Sequence, residues 1–122
     1  MNDIFCENNR VIIKNVANFD LAQTLDCGQA FRFKETGEKE WTGVCGGRVL
    51  KLLQTENEII IRDLDEADFY GFFEDYFDLS RDYGKIIDEI SDNEILSAAA
   101  AYGSGIRILN QEPFETLCSF II

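Results

Sequence analysis

Short apolar runs separated by glycine or polar turns dominate the first half of the chain. Strand-like runs, rich in β-branched and aromatic residues, lie at 11–16, 30–34, 41–44, 49–53 and 59–61. Turns are expected at Glu35-Thr36-Gly37-Glu38, Gly46-Gly47 and Gln54-Thr55-Glu56-Asn57. Consecutive short strands joined by such turns predict an antiparallel meander. The alternation of apolar and polar positions predicts that one face of the sheet is covered.

The apolar positions change to helical spacing after Asp63. Acidic residues at 65–68 suit a first helical turn, because carboxylates are favourable at the positive end of the helix dipole. An aromatic stripe follows at helical spacing, made of Phe69, Phe72, Phe73, Tyr76 and Phe77. We expect this stripe to pack against the sheet.

Two short helices are expected next. Isoleucines within 86–90 mark the first. Asn93 is placed to cap the second, at 94–102, and Gly103-Ser104-Gly105 ends it.

A final helix begins near Pro113, a residue type favoured in the first helical turn. Its apolar face repeats at i, i+3, i+4 and i+7 and comprises Phe114, Leu117, Cys118 and Ile121, widened by Phe120 and Ile122. No glycine, basic turn or polar exit ends this helix. We therefore expect a piece of a longer protein, or a domain whose partner is missing.

Composition and charge limit the possible functions. A length of 122 residues fits one domain, and a hydrophobic share of 46% is enough to bury a core. The net charge is −12, with eight Lys/Arg against nine Asp/Glu in residues 1–62 and three against fourteen in residues 63–122. This balance argues against a self-sufficient nucleic-acid binder.

Four cysteines, Cys6, Cys27, Cys45 and Cys118, form no CxxC pair, and the sequence contains no histidine. We expect free buried thiols, no metal site and no cofactor. No apolar run approaches the ~20 residues of a membrane helix, and the N-terminus is unlike a signal peptide. The expectation is an intracellular protein without membrane contact, cytoplasmic (in the nucleoid) if bacterial.

Two segments resemble the 8-oxoguanine DNA glycosylase family. Residues 19–33 contain Gly28-Gln29-Ala30-Phe31-Arg32 and, with Trp41-Thr42-Gly43-Val44, are similar to the family's L-x-x-T-L-x-x-G-Q-[SA]-F-R-[WF] signature and W-x-G-V strand. Residues 105–121 are similar to its G-[VI]-R-[LI]-L-x-Q-[DE]-P-x-E-x-L-x-S-F-I helix. The order and separation of the two segments also agree.

The resemblance implies an α+β fold. Residues 1–78 would form a TATA-binding-protein-like antiparallel β-sheet with flanking helices. Residues 79–122 would form the first helices of a helix-hairpin-helix glycosylase domain. The implied activity is that of a bifunctional DNA glycosylase/AP lyase that excises 8-oxoguanine in base excision repair. The catalytic lysine and aspartate would lie beyond Ile122, so we expect this chain to be inactive alone.

Gly28 is the substrate-binding residue that the resemblance carries over, because it matches the glycine whose backbone carbonyl faces the flipped-out damaged base. Cys27 and Gln29 are weaker candidates beside that pocket, and no catalytic residue is assigned. From residue type alone, Phe31 is expected in the core and Cys27 as a small buried filler. Arg32 is expected to pair with an acid or a backbone carbonyl.

The implied partners are damaged double-stranded DNA, bound by the full-length enzyme, and the missing catalytic domain. The apolar last helix also allows self-association. Two other functions stay open at this stage. An acidic interaction module or DNA mimic would explain the net charge directly. A stand-alone relative of the TATA-binding-protein fold would grip DNA, although the low Lys/Arg count weighs against it.

Overall fold

A single antiparallel sheet forms the framework of the protein. The computed structural model describes residues 3–121. The six strands are β1 (Asp3–Glu7), β2 (Arg10–Lys14), β3 (Phe33–Gly37), β4 (Glu40–Cys45), β5 (Arg48–Gln54) and β6 (Glu58–Arg62). Their order in the sheet is β1-β2-β6-β5-β4-β3, and every neighbouring pair is antiparallel. The predicted meander is therefore confirmed as β3 to β6.

Two strand predictions need correction. β1 was not predicted, because its apolar run, Ile4-Phe5-Cys6, contains only one β-branched residue, unlike the equally short run at 59–61. The strand expected at 30–34 begins instead at Phe33 and continues through the expected turn to Gly37. A register shift between Glu35 and Gly37 lengthens this strand, so the chain reverses at residues 38–39, where Lys39 takes a positive φ of 56°.

Helices lie in the remainder of the chain. They are α1 (Leu21–Leu25), α2 (Glu66–Asp68), α3 (Glu74–Tyr76), α4 (Tyr83–Ile90), α5 (Glu94–Tyr102) and α6 (Pro113–Ile121). A π-helical turn, Phe69–Phe73, joins α2 to α3. The helices predicted after Asp63 are confirmed, with Asn93 as the cap of α5, whereas neither α1 nor the π-helical turn was predicted.

The core lies between one face of the sheet and the aromatic stripe. The rings of Phe69, Phe73 and Phe77 are at most 2% exposed, and the inner strand positions are buried with them. Tyr76 joins them at 4%, and Phe72 packs against the same cluster. The prediction that the stripe is core packing is confirmed.

Apolar side chains remain exposed on the last two helices. On α5, Ile95 is 82% exposed, and on α6, Phe114 and Phe120 are 71% and 65% exposed. Ile122, expected to widen this face, lies outside the described residues.

Within residues 3–121, no helix combines the length and hydropathy needed to cross a bilayer. The division at residue 78 stays a prediction.

The cysteines are free, but the expectation that all four are buried is wrong. Cys45 is buried, Cys6 and Cys118 are half-buried, and Cys27 is exposed. Cys27 is not a core filler because it lies in the loop after α1, where its Sγ contacts the Thr24 carbonyl oxygen at 3.4 Å. Burial raises the pKa of Cys45 to about 12.

Close packing between two strands gives the first testable prediction. A Cβ on Gly43 would lie 2.1 Å from Cδ1 of the buried Phe33 ring. We expect Gly43→Ala to lower the free energy of unfolding by about 1–3 kcal/mol, because the ring has to leave its position. The measurement is urea unfolding followed by circular dichroism.

Gly71→Ala is the matched control, since a Cβ there meets nothing within 4 Å. Its free energy of unfolding should stay the same or rise by up to about 1 kcal/mol, because alanine is the better helix former. Equal losses in the two variants would contradict the packing argument.

Candidate functional site

Gly28 lies in the loop that leaves α1. Asp20 caps this helix by accepting a hydrogen bond from the Gln23 amide at 3.0 Å. Three residues after the helix, Gly28 takes a φ of +91°, where L side chains are strained. The residue is exposed. Its carbonyl accepts no hydrogen bond from residues 3–121, so it is an acceptor free for a ligand.

The side chain of Gln29 fixes the loop immediately after Gly28. Its Oε1 accepts from the Leu109 amide at 3.0 Å. Its Nε2 donates to the carbonyls of Thr24 at 3.1 Å and Arg107 at 2.6 Å. The Gln111 side-chain amide donates in turn to the Gln29 carbonyl. Both amide hydrogens of Gln29 are thus used within the protein.

Thr24 makes a second connection between the same two segments. Its hydroxyl, fully buried, donates to the Gly105 carbonyl at 3.0 Å and accepts from the Arg107 amide at 3.1 Å. The Asp20 amide also donates to the Gly105 carbonyl, at 2.8 Å. A Cβ on Gly105 would lie 2.4 Å from the Asp20 Cβ, so this contact requires glycine.

The guanidinium of Arg107 is buried and bonded entirely to backbone carbonyls. Nη1 donates to Asp78 at 2.7 Å and Arg81 at 3.3 Å, Nη2 to Ala17 at 2.7 Å, and Nε to Asn18 at 3.1 Å. The residue is only 3% exposed. Burial lowers the pKa of Arg107 from its usual value, an effect that nearby Tyr83 and Asp78 oppose.

Aromatic and acidic groups surround this guanidinium. Its Cζ lies 4.3 Å from the centroid of the Tyr83 ring, a cation–π contact. The Asp78 carboxylate accepts from the Tyr83 hydroxyl at 2.7 Å and from Arg81 Nε at 2.9 Å. The Tyr83 hydroxyl accepts from the Ile108 amide at 3.0 Å. The charge is therefore compensated by dipoles, a ring and a carboxylate.

Residues 20–29 and 105–111 consequently interlock, and we call the two together the Gly28 network. These are parts of the two segments that carry the family resemblance, which the sequence presents as separate motifs. The roles of Thr24 and Arg107 were not predicted. An arginine within the apolar run Ile106-Arg107-Ile108-Leu109 was the signal that could have revealed a buried guanidinium.

The other predicted residues have different outcomes. Arg32 pairs with an acid, as expected, through Nη1 and Glu115 Oε1 at 3.1 Å. Phe31, expected in the core, is instead 53% exposed and contacts the Phe120 ring edge to face at 5.2 Å. The reason is that β3 begins only at Phe33, so Phe31 precedes the strand and lies against α6.

No feature of the site indicates a metal. Within the described part of the chain, no three His, Cys, Asp or Glu side chains are grouped so that they could hold an ion. A cavity of about 500 Å³ lies beside Arg107, lined by Asn15, Asn18 and Tyr83 among others. Gly28 does not line it, so this cavity and the free carbonyl are separate features.

Comparison with known proteins places the same residues in a family context. The family model described as 8-oxoguanine DNA glycosylase, N-terminal domain, matches residues 11–117. The structure of the Clostridium acetobutylicum 8-oxoguanine glycosylase/lyase in its apo-form is similar, with 38% identity and a TM-score of 0.92. The match covers 97% of this chain and 41% of the Clostridium chain.

Two DNA complexes are similarly close. MBOgg1 in complex with a low-affinity DNA ligand has 39% identity and a TM-score of 0.94, over 99% of this chain and 42% of its own. The Clostridium acetobutylicum enzyme in complex with double-stranded DNA containing cytosine opposite 8-oxoG has 38% identity and a TM-score of 0.93. That match covers 98% of this chain and 41% of the enzyme's chain. The chain thus spans about two fifths of the length of these relatives.

Removal of the Gln29 amide is the second testable prediction. Gln29→Ala leaves the Leu109 amide and the Arg107 carbonyl without their partner, and it leaves the Thr24 carbonyl with only the weak Cys27 thiol donor. We expect the free energy of unfolding to fall by about 2–4 kcal/mol, because unsatisfied partly buried groups cost about 1–3 kcal/mol each. Urea unfolding measures this loss.

Asn57→Ala is the control, because the Asn57 side-chain amide is exposed and makes no hydrogen bond within residues 3–121. Its stability should change by no more than about 0.5 kcal/mol. A Gln29 variant as stable as the Asn57 variant would show that the amide does not hold the loop.

Proposed function

The chain belongs to the 8-oxoguanine DNA glycosylase family, whose N-terminal domain it matches, and we propose that it forms that domain of an enzyme acting on damaged duplex DNA. The enzyme removes 8-oxoguanine and then cleaves the strand as an AP lyase. This chain supplies the scaffold and part of the lesion pocket. The observation that carries the proposal is that Gly28 is exposed and that its carbonyl accepts no hydrogen bond from residues 3–121.

A lone carbonyl oxygen can distinguish the lesion from guanine. N7 of guanine is a hydrogen-bond acceptor, whereas N7 of 8-oxoguanine carries a hydrogen. A carbonyl accepts and never donates. It therefore bonds the lesion, but with guanine it faces a second lone pair. An unmade bond of this kind costs about 1–3 kcal/mol in a desolvated pocket.

The surroundings of Gly28 support this role. The φ of +91° sets the direction of the peptide that bears the carbonyl, and the Gln29 side chain holds the next residue in place. Gln29 acts here by positioning, because its amide hydrogens are already donated within the protein. Cys27 precedes Gly28 in the chain and is exposed, so its side chain is a second candidate beside the proposed pocket.

The covalent step requires a group from elsewhere in the enzyme. In the proposed reaction the base is flipped out of the helix, a lysine amine attacks C1′ of the sugar, and the bond to the base breaks. The nitrogen–sugar adduct then becomes a Schiff base, and β-elimination breaks the strand. Neither 20–29 nor 105–111 contains a lysine, so the proposed nucleophile is not part of the Gly28 network.

Substitution of Gly28 tests the pocket directly in the complete glycosylase. Gly28→Ala strains the φ of +91° and displaces the carbonyl. We expect single-turnover excision of 8-oxoguanine to slow by about 5- to 150-fold, the equivalent of about 1–3 kcal/mol. Gly47→Ala is the matched control, because Gly47 has a similar φ of +75°, equally open space, and no place in the Gly28 network. Equal excision rates for the two variants would show that Gly28 is not part of the lesion pocket.

The second test uses the polypeptide of residues 1–122 alone. We expect no release of 8-oxoguanine from a lesion-bearing duplex and no product trapped by borohydride, because the proposed nucleophile is absent. The complete enzyme, assayed in parallel, should give both. Robust excision by residues 1–122 would contradict the proposed division of labour.

A further inference from the structure

Cations from four strands form a line across the sheet. Strand register places each member directly opposite the next, so that adjacent side chains project to the same face. The line consists of Arg10, Arg62, Lys51, Thr42 and Lys34, in the order β2, β6, β5, β4 and β3. We call it the cationic row.

The cationic row lies on the open face of the sheet. The residues that alternate with it, Val11, Ile61, Leu52 and Trp41, are at most 5% exposed and point into the core. Successive side chains of a strand point to opposite faces. The four cations are exposed and Thr42 is half-buried, so the row faces away from the helices that cover the core.

Most of this positive charge has no counterion among residues 3–121. Arg10 lies 3.7 Å from Glu7, a pair in which both side chains are about half exposed. Lys34, Lys51 and Arg62 form no ion pair with a carboxylate of residues 3–121. The chain has 23 acidic residues against 11 Lys/Arg, so a lack of acids does not explain this.

The arrangement also opposes folding. Like charges directly opposite each other on neighbouring strands are destabilising, and Arg10, Arg62 and Lys51 occupy three such positions in succession. An acid at Lys51 would relieve the repulsion. Uncompensated charge at this place therefore indicates a ligand that supplies the negative charge.

We propose that the cationic row binds the sugar–phosphate backbone of duplex DNA outside the lesion pocket. Strands in a sheet are about 4.8 Å apart, so the row is about 19 Å long. One DNA strand presents a phosphate about every 3.4 Å along the helix axis. The row is therefore long enough to contact several phosphates of the duplex. Such an interaction is independent of sequence and of the excision activity proposed above.

A single strand fits this face less well. Proteins that bind single strands combine cations with aromatic rings on which bases stack. The exposed aromatic ring next to the row, that of Phe5 on β1, already has Lys14 Nζ at 5.2 Å from its centroid. The Trp41 ring lies on the core side, where no base can stack on it.

A charge reversal separates binding from folding. Lys51→Glu should raise the midpoint of urea unfolding, because it replaces a repulsion between Lys51 and Arg62 with an attraction. The same variant should bind an undamaged, fluorescein-labelled 20-base-pair duplex about tenfold more weakly. The full chain is used throughout. Lys85→Glu, the same change on exposed α4, should alter binding by less than about twofold.

Salt dependence tests the phosphate interaction itself. In the triple variant Lys34→Gln, Lys51→Gln, Arg62→Gln, the slope of log affinity against log salt should become shallower by about 0.9 for each phosphate that the protein no longer neutralises. An unchanged slope, equal weakening by Lys85→Glu, or tighter binding of the matching single strand would overturn the proposal. Because the duplex carries no lesion, these outcomes are independent of the pocket at Gly28.

Discussion

The buried guanidinium of Arg107 is the interaction on which the rest of the arrangement depends. A charge with 3% exposure is tolerated only when its donors are satisfied. Arg107 meets that condition by bonding carbonyls from the segment after β2 and from the segment after α3. Those two segments are thereby held beside residues 105–111. The amide and carbonyl of Arg107 then bond Thr24 and Gln29, which extends the constraint to the loop that carries Gly28.

The sheet and most helices were predictable because their signals are local. Short apolar runs between glycine or polar turns predicted the strands from β4 to β6, and a period near 3.6 predicted the stripe from Phe69 to Phe77. β1 was not predicted because its short apolar run contains a single β-branched residue, Ile4. The shifted start of β3 depends on the Val44 amide bonding the Arg32 carbonyl and on a register change near Glu35. Neither is encoded in a pattern of hydrophobic positions.

The candidate site was predictable to a smaller extent. The resemblance identified Gly28, and the positive φ agrees with the choice of glycine there. The function of Gln29 depends on partners about 80 positions away, so no local signal could reveal it. Charge gives a similar lesson. The net charge of −12 argued against a self-sufficient nucleic-acid binder, but it says nothing about the register that aligns Arg10, Arg62, Lys51 and Lys34.

The two outer strands bear on the solubility of the protein. An unpaired strand edge is a template for pairing with another molecule, and hence for aggregation. β1 is short and has an acid at each end, Asp3 and Glu7. β3 carries Lys34 and Glu35 and is distorted by the register shift that precedes Gly37. Neither edge strand offers a long, flat, apolar ladder for another molecule to pair with. The sheet is therefore protected against growth into fibrils, although α5 and α6 expose many apolar side chains.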